Sequence, residues 1–144
     1  MWRDLIQSIC ADCSYAPPAS SELLAELEAA LGVTLPLELR ALWLEANGIS
    51  DRYGDGIWPA EQAIRDNLEF RSYPEQNDLY MPFDHMLFFA GAGNGDQFFY
   101  PIQADGGIHR QDIFVWDHET DNRKWVASSL QKFVEQWYSG KLEY

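Results

Sequence analysis

The chain has 144 residues, with 23 acidic side chains against 10 basic ones and a formal charge of −13. That length describes one domain, and 47% hydrophobic and 15% aromatic residues supply its core and exclude disorder as the dominant state. The negative balance repels phosphate backbones and anionic headgroups, so it excludes a general nucleic-acid or membrane-surface binder and favours a positively charged protein partner.

No apolar run approaches the roughly 20 residues that a membrane-crossing helix needs. Met1-Trp2-Arg3-Asp4 lacks the basic-then-apolar pattern of a secretory leader, so a cytosolic protein is expected. Trp2, Leu5, Ile6, Ile9, Cys10 and Cys13 recur at helical spacing, and Pro17-Pro18 stop that helix. Ser20 or Ser21 caps a second helix with Leu23, Leu24, Leu27 and Leu31 on one side, ended by Gly32. A third begins with Pro36 in its first turn, carries Leu39, Leu42, Trp43 and Ala46, and finishes at Asn47-Gly48.

A polar loop with Asp51, Gly54, Asp55 and Gly56 follows, then a fourth helix from Pro59 to about Arg71 and a second loop from Tyr73 to Asp78. Met86–Ala90, Gln97–Ile102 and Ile113–Glu119 read as strands, with Asn94-Gly95 turning between the first two. The last helix carries Leu130, Phe133, Val134, Trp137 and Tyr138 on one stripe, opened by a Ser128–Gln131 capping box and closed by Gly140. Helices first, strands in the middle and a helix last give an α+β fold: one domain over residues 1–144, with a mainly antiparallel central sheet. The N-terminal helices and the C-terminal helix pack around that sheet, and residues 1–19 form a helix and a proline-containing joint.

Three short motifs carry chemistry in other contexts. Gly91-Ala92-Gly93-Asn94-Gly95-Asp96 is glycine-rich, but a strand rather than a helix follows it and no Gly-Lys-Ser/Thr is present, so it reads as a tight loop rather than a phosphate cradle. Asp117-His118-Glu119 with Asp121 gathers ionisable groups at a strand end; alternation puts His118 on the opposite face from Asp117 and Glu119, which weakens a metal or acid–base site. Cys10-x-x-Cys13 lacks a second pair and lies on an apolar stripe, so both cysteines read as small buried hydrophobes. There is no Gly-x-Ser-x-Gly elbow. No cofactor, metal or catalytic residue is expected.

Charge is more informative. Between Asp51 and Asp121 stand 14 acidic and four basic residues, whereas the rest of the chain has nine against six. Acidity so concentrated is either a solubilising surface or a surface that steers a basic partner. Exposed aromatics such as Tyr53, Trp58, Tyr73 or Tyr80 would supply the desolvated anchors that charge alone lacks.

The ordered set Leu31-Gly32-Val33-Thr34-Leu35-Pro36, then Leu39, Leu42, Trp43 and Asn47-Gly48, Leu87-Phe88-Phe89-Ala90 with Gly93-Asn94-Gly95-Asp96, Val115-Trp116-Asp117-His118-Glu119 and the terminal Ser-Leu-x-x-Phe helix resembles the SUKH superfamily. More narrowly it is similar to the branch named for a yeast cell-wall assembly and killer-toxin-resistance regulator, over about Ser21 to Gly140. The resemblance implies an α+β fold and a bacterial immunity protein that binds and neutralises a cognate toxin, frequently a nuclease. The family offers no catalytic residues to carry over. A nuclease presents positive surface to phosphate, so the expected binder is stoichiometric and non-enzymatic. Its expected face draws on Asp51, Asp55, Trp58, Glu69, Glu75, Asp78, Tyr80, Asp84 and Asp105. Three other functions compete: an intracellular regulatory scaffold, a small hydrolase using Asp96, Asp117, His118 or Glu119, and a small-ligand or pilot module, which requires a concave apolar pocket.

Overall fold

The computed structural model describes residues 1–76 and 79–144. Among them, five helices surround one antiparallel sheet of seven strands whose spatial order follows the chain. The elements are α1 (Trp2–Ile9), β1 (Ser14–Tyr15), α2 (Ser21–Leu31), α3 (Leu37–Glu45), β2 (Ile49–Ser50), β3 (Gly56–Ile57), α4 (Ala60–Gln76), β4 (Met86–Gly91), β5 (Gln97–Pro101), β6 (Ile113–Trp116), β7 (Arg123–Ala127) and α5 (Leu130–Tyr138). The α+β architecture with a central sheet is the one expected.

The sheet is buried on both faces because consecutive aromatic residues point opposite ways. Phe88 meets Phe70 of α4, Phe83 and Trp116 on one side, where Phe99 packs edge-on against it. Phe89, Phe98 and Tyr100 lie on the other, where Phe133 of α5 packs edge-on against Phe89 and Phe98. A bulge at Phe89 shifts the register between Phe88 and Ala90, and Asn67 of α4 stitches it closed. The Asn67 amide donates to the Phe88 and Ala63 carbonyls and its oxygen accepts the Phe88 N–H. On the α5 side the buried Tyr138 hydroxyl accepts the Ile57 N–H and donates to the Ile49 carbonyl, fastening the β2–β3 hairpin to the helix.

Local signals place most boundaries. Ser20 accepts the Leu23 N–H at the start of α2, and Gly32 closes it in the left-handed conformation with φ of 65°. Five readings need correction. Pro36 precedes α3 as its cap, with the helix starting at Leu37. Ser129, one residue later than expected, caps α5 by accepting the Lys132 N–H, so no Ser128–Gln131 box forms. α4 continues past Arg71 to Gln76. β6 ends at Trp116 rather than Glu119, because the chain turns through Asp121 with φ of 61°, closing Asp117 N–H to the Asn122 carbonyl.

The fifth concerns the cysteines. α1 stops at Ile9 because Cys10 adopts an extended backbone, Cys10 and Cys13 are joined by a disulfide, and both are half-buried rather than on a helical stripe. The chain leaves the helix there because Ser14 and Tyr15 supply hydrogen-bonding groups to β2.

Candidate functional site

Strand register defines two ends of the sheet. Gly91 pairs with Gln97, Gln97 with Trp116, Trp116 with Arg123 and Gly56 with Gly91, so the β2–β3, β4–β5 and β6–β7 loops emerge at one end. Met86 pairs with Pro101 at the other, where the approach to β4 and the β5–β6 loop lie. The loops at the Gly91 end, residues 51–55, 92–96 and 117–122, carry Asp51, Asp55, Asp96, Asp117, Glu119 and Asp121 against Arg52 and His118. Arg52 lies over the ring of Tyr53, which is 73% exposed.

Two of the loops are closed by their own carboxylates, and in the third the Asn94 amide oxygen accepts the Asp96 N–H. Asp51 Oδ1 accepts the N–H groups of Tyr53 and Asp55, and Asp117 accepts that of Glu119. Asp121 accepts the Met81 N–H, the Trp116 indole N–H and Arg123; burial pushes its pKa up, but these donors outweigh it and leave the carboxyl below its ordinary value.

Asp96 joins two of the loops. It is buried, and Oδ1 accepts the His118 backbone N–H at 3.1 Å and meets His118 Nδ1 at 2.6 Å, while Oδ2 accepts the Tyr144 hydroxyl at 3.0 Å. Burial raises the Asp96 pKa, but the His118 ring, the His118 N–H and Tyr144 together bring it below the usual carboxylate value. The Asp96 hydrogen bond in turn raises that of His118. A Cβ at Gly95 would fall 2.9 Å from this ring, and φ of 105° already requires glycine there.

Asp96, Asp117 and His118 place ligand atoms within 4.8 Å of one another, the spacing a metal ion requires. The nearest pair is instead bonded directly, and the second Asp96 oxygen is committed to Tyr144. Among the described residues no hydroxyl or thiol hydrogen-bonds to His118 Nε2; its nearest ionic neighbour is Glu119 at 4.0 Å. The arrangement holds a charge and clamps two loops.

Beside it lies a groove of about 690 Å³ between the β2–β3 hairpin, the start of α4 and the β4–β5 loop, with Asp55, Trp58, Gln62, Asp66, Gly91 and Gly93 in its wall. Asp55 rests against Gly93, where any Cβ would overlap the carboxylate. Burial raises the Asp55 pKa, and the charge of Asp51 adds to that. Trp58 forms the floor.

The sequence-derived residues do not all meet. Asp51 and Asp55 sit together at the Gly91 end, whereas Asp84 and Asp105 flank the strands at the Met86 end. Asp105 accepts the Gly107 N–H and pairs with His109, facing a second groove against the α2–α3 connection. Glu69 is exposed on α4; Glu75 lies near its end, and Asp78 falls outside the described residues. Trp58 is not an exposed anchor: it is 9% exposed, and its carbonyl accepts the Trp43 indole N–H. Tyr80 is half-buried, its ring tilted against Tyr73 and Phe83 and edge-on to Trp116. Asp66, Asp96, Asp117, Glu119 and Asp121 were not in the expected face; only the strand register places the last four beside Asp55.

The family model SUKH_6, SMI1-KNR4 cell-wall, matches residues 21–134. The chain belongs to this SUKH family. No curated protein matches the chain. The matched span of the SUKH domain contains β2 to β7 and all three loops of the acidic end, while α1 and the disulfide lie before it. No helix among the described residues is long and apolar enough to cross a membrane.

Proposed function

We propose that this SUKH domain is a bacterial immunity protein that binds a cognate toxin in the cytoplasm, at equal stoichiometry and without catalysis, and that the toxin is a basic nuclease. One observation carries the reading: three contiguous loops at the Gly91 end hold six carboxylates, and their one arginine lies over a neighbouring tyrosine ring. Family membership supports a protein partner. An enzyme that cleaves nucleic acid needs a cationic surface, and a rigid acidic rim is complementary to it. The rim is preformed because the Asp96–His118 and Asp121–Arg123 pairs fix the loops before any partner arrives. Encounter is accelerated by charge, and exposed Tyr53 beside the rim offers an aromatic contact that slows release.

The test is coexpression with the protein encoded by the neighbouring reading frame. Rescue of growth from that toxin and not from unrelated ones, with a one-to-one complex on sizing, is expected. Association should slow as salt is raised, and more steeply for the native protein than for a variant with Asp51, Asp117 and Glu119 changed to Asn or Gln. Absence of both rescue and complex formation overturns the reading.

A further inference from the structure

We infer that the groove beside the acidic rim is an arginine-recognition slot, taking the guanidinium and an adjacent backbone carbonyl of a loop on the protein partner; this rests on the protein-binding reading above. One acceptor and one donor of its wall each lie against a glycine. The Asp55 carboxylate accepts no hydrogen bond and joins no ion pair among the described residues, although it is half-buried and has Asp51 nearby. Such a group has lost part of its hydration without gaining a cation.

Trp58 is the independent second observation. Its ring is more than nine-tenths buried, yet its indole N–H has no acceptor among the described residues, and the ring lines the groove. A Cβ at Gly91 would sit 3.0 Å from Trp58 Nε1 and cover it. Gly91 has no left-handed backbone that would demand glycine, unlike Gly93 with φ of 88°. The missing side chain at Gly91 is therefore accounted for by access to the indole. At Gly93 the missing side chain makes room for the Asp55 carboxylate.

Gly91 and Gly93 are two residues apart, so their Cα atoms lie within about 7 Å of each other, and one open group lies against each. A peptide that places a guanidinium on Asp55 can hold a neighbouring carbonyl over Trp58. Arginine suits the slot better than lysine because its planar fork gives a carboxylate two parallel hydrogen bonds. Asp66 is already paired with Arg65 at 3.1 Å and is not needed for the contact.

The probe is the capped residue N-acetyl-arginine methylamide, followed by the indole N–H resonances of the six tryptophans in a proton–nitrogen NMR spectrum. Trp58→Phe identifies the Trp58 signal. A saturable shift of that signal is expected with capped arginine and not with capped citrulline, which keeps the shape and lacks the charge. Asp55→Asn, which removes no hydrogen bond of the fold, should weaken binding about tenfold, the loss of one charge-assisted contact. Asp105→Asn, at the opposite end of the sheet, should leave it unchanged. A Trp58 signal that stays still through tens of millimolar capped arginine, or responds equally in Asp55→Asn, overturns the slot. If the toxin complex forms with undiminished affinity in Asp55→Asn, the slot fails while the immunity reading stands. Capped arginine binding in a protein that neutralises no toxin leaves the slot standing and removes the immunity reading.

Discussion

His118 and Asp96 show how one pair of side chains ties charge to folding. The His118 pKa is raised from 6.5, so its contribution to stability is complete below that value and is lost as pH rises through the higher folded-state pKa. The Asp96 pKa is lowered from 3.8, so its contribution is complete above that value and is lost as pH falls through the lower folded-state pKa. The clamp is at full strength between these limits. A fall in the native protein's urea midpoint from slightly acidic to slightly alkaline pH is expected, and replacing His118 with Gln should flatten it. An equal fall in both proteins would mean that the pair does not couple to folding. The motif itself was legible as a gathering of ionisable groups. Asp96 stood beside it among the hydrolase candidates, but their direct bond was not legible, because Asp96 is 22 residues away and the β5–β6 pairing brings the two together.

At the scale of elements, legibility followed the length of the repeating pattern. α2, α3 and α5 span two to three turns each, enough for an apolar stripe to declare itself, and β4 and β5 are continuous apolar runs. β2 and β3 have two residues apiece and offer no alternation to read. β7 runs Arg123-Lys124-Trp125-Val126-Ala127 and buries only its last two residues, so its pattern resembles a loop. The capping error at α5 has a direct check. Ser129→Ala should cost about 1 kcal/mol in chemical denaturation, whereas Ser128→Ala, whose side chain is exposed, should cost little. The reverse order would restore the capping box inferred from sequence.

The molecule as a whole has too much negative charge for its cations to neutralise, and the unmatched part is uneven. Composition revealed the excess and its concentration between Asp51 and Asp121, but not its division between the two ends of the sheet, which depends on which strand runs which way. Self-repulsion within the acidic loops should make the protein more stable as ionic strength increases, since the Debye length contracts from about 30 Å at 0.01 M salt to about 8 Å at 0.15 M. A melting temperature that rises with sodium chloride is expected, measured at constant pH near neutrality. A melting temperature that falls would mean that the ion pairs at Arg123 and His118 outweigh the repulsion.

The self-closed loops make shape and electrical sign separable. At Asp51 and Asp117 the backbone asks only for an oxygen that receives N–H groups, and an amide side chain supplies one. Descendants of this chain can therefore trade aspartate for asparagine there, one position at a time, and drift toward neutrality with the hairpins intact. Adaptation to a less cationic adversary is then a matter of single-codon steps, none of which passes through an unfolded ancestor.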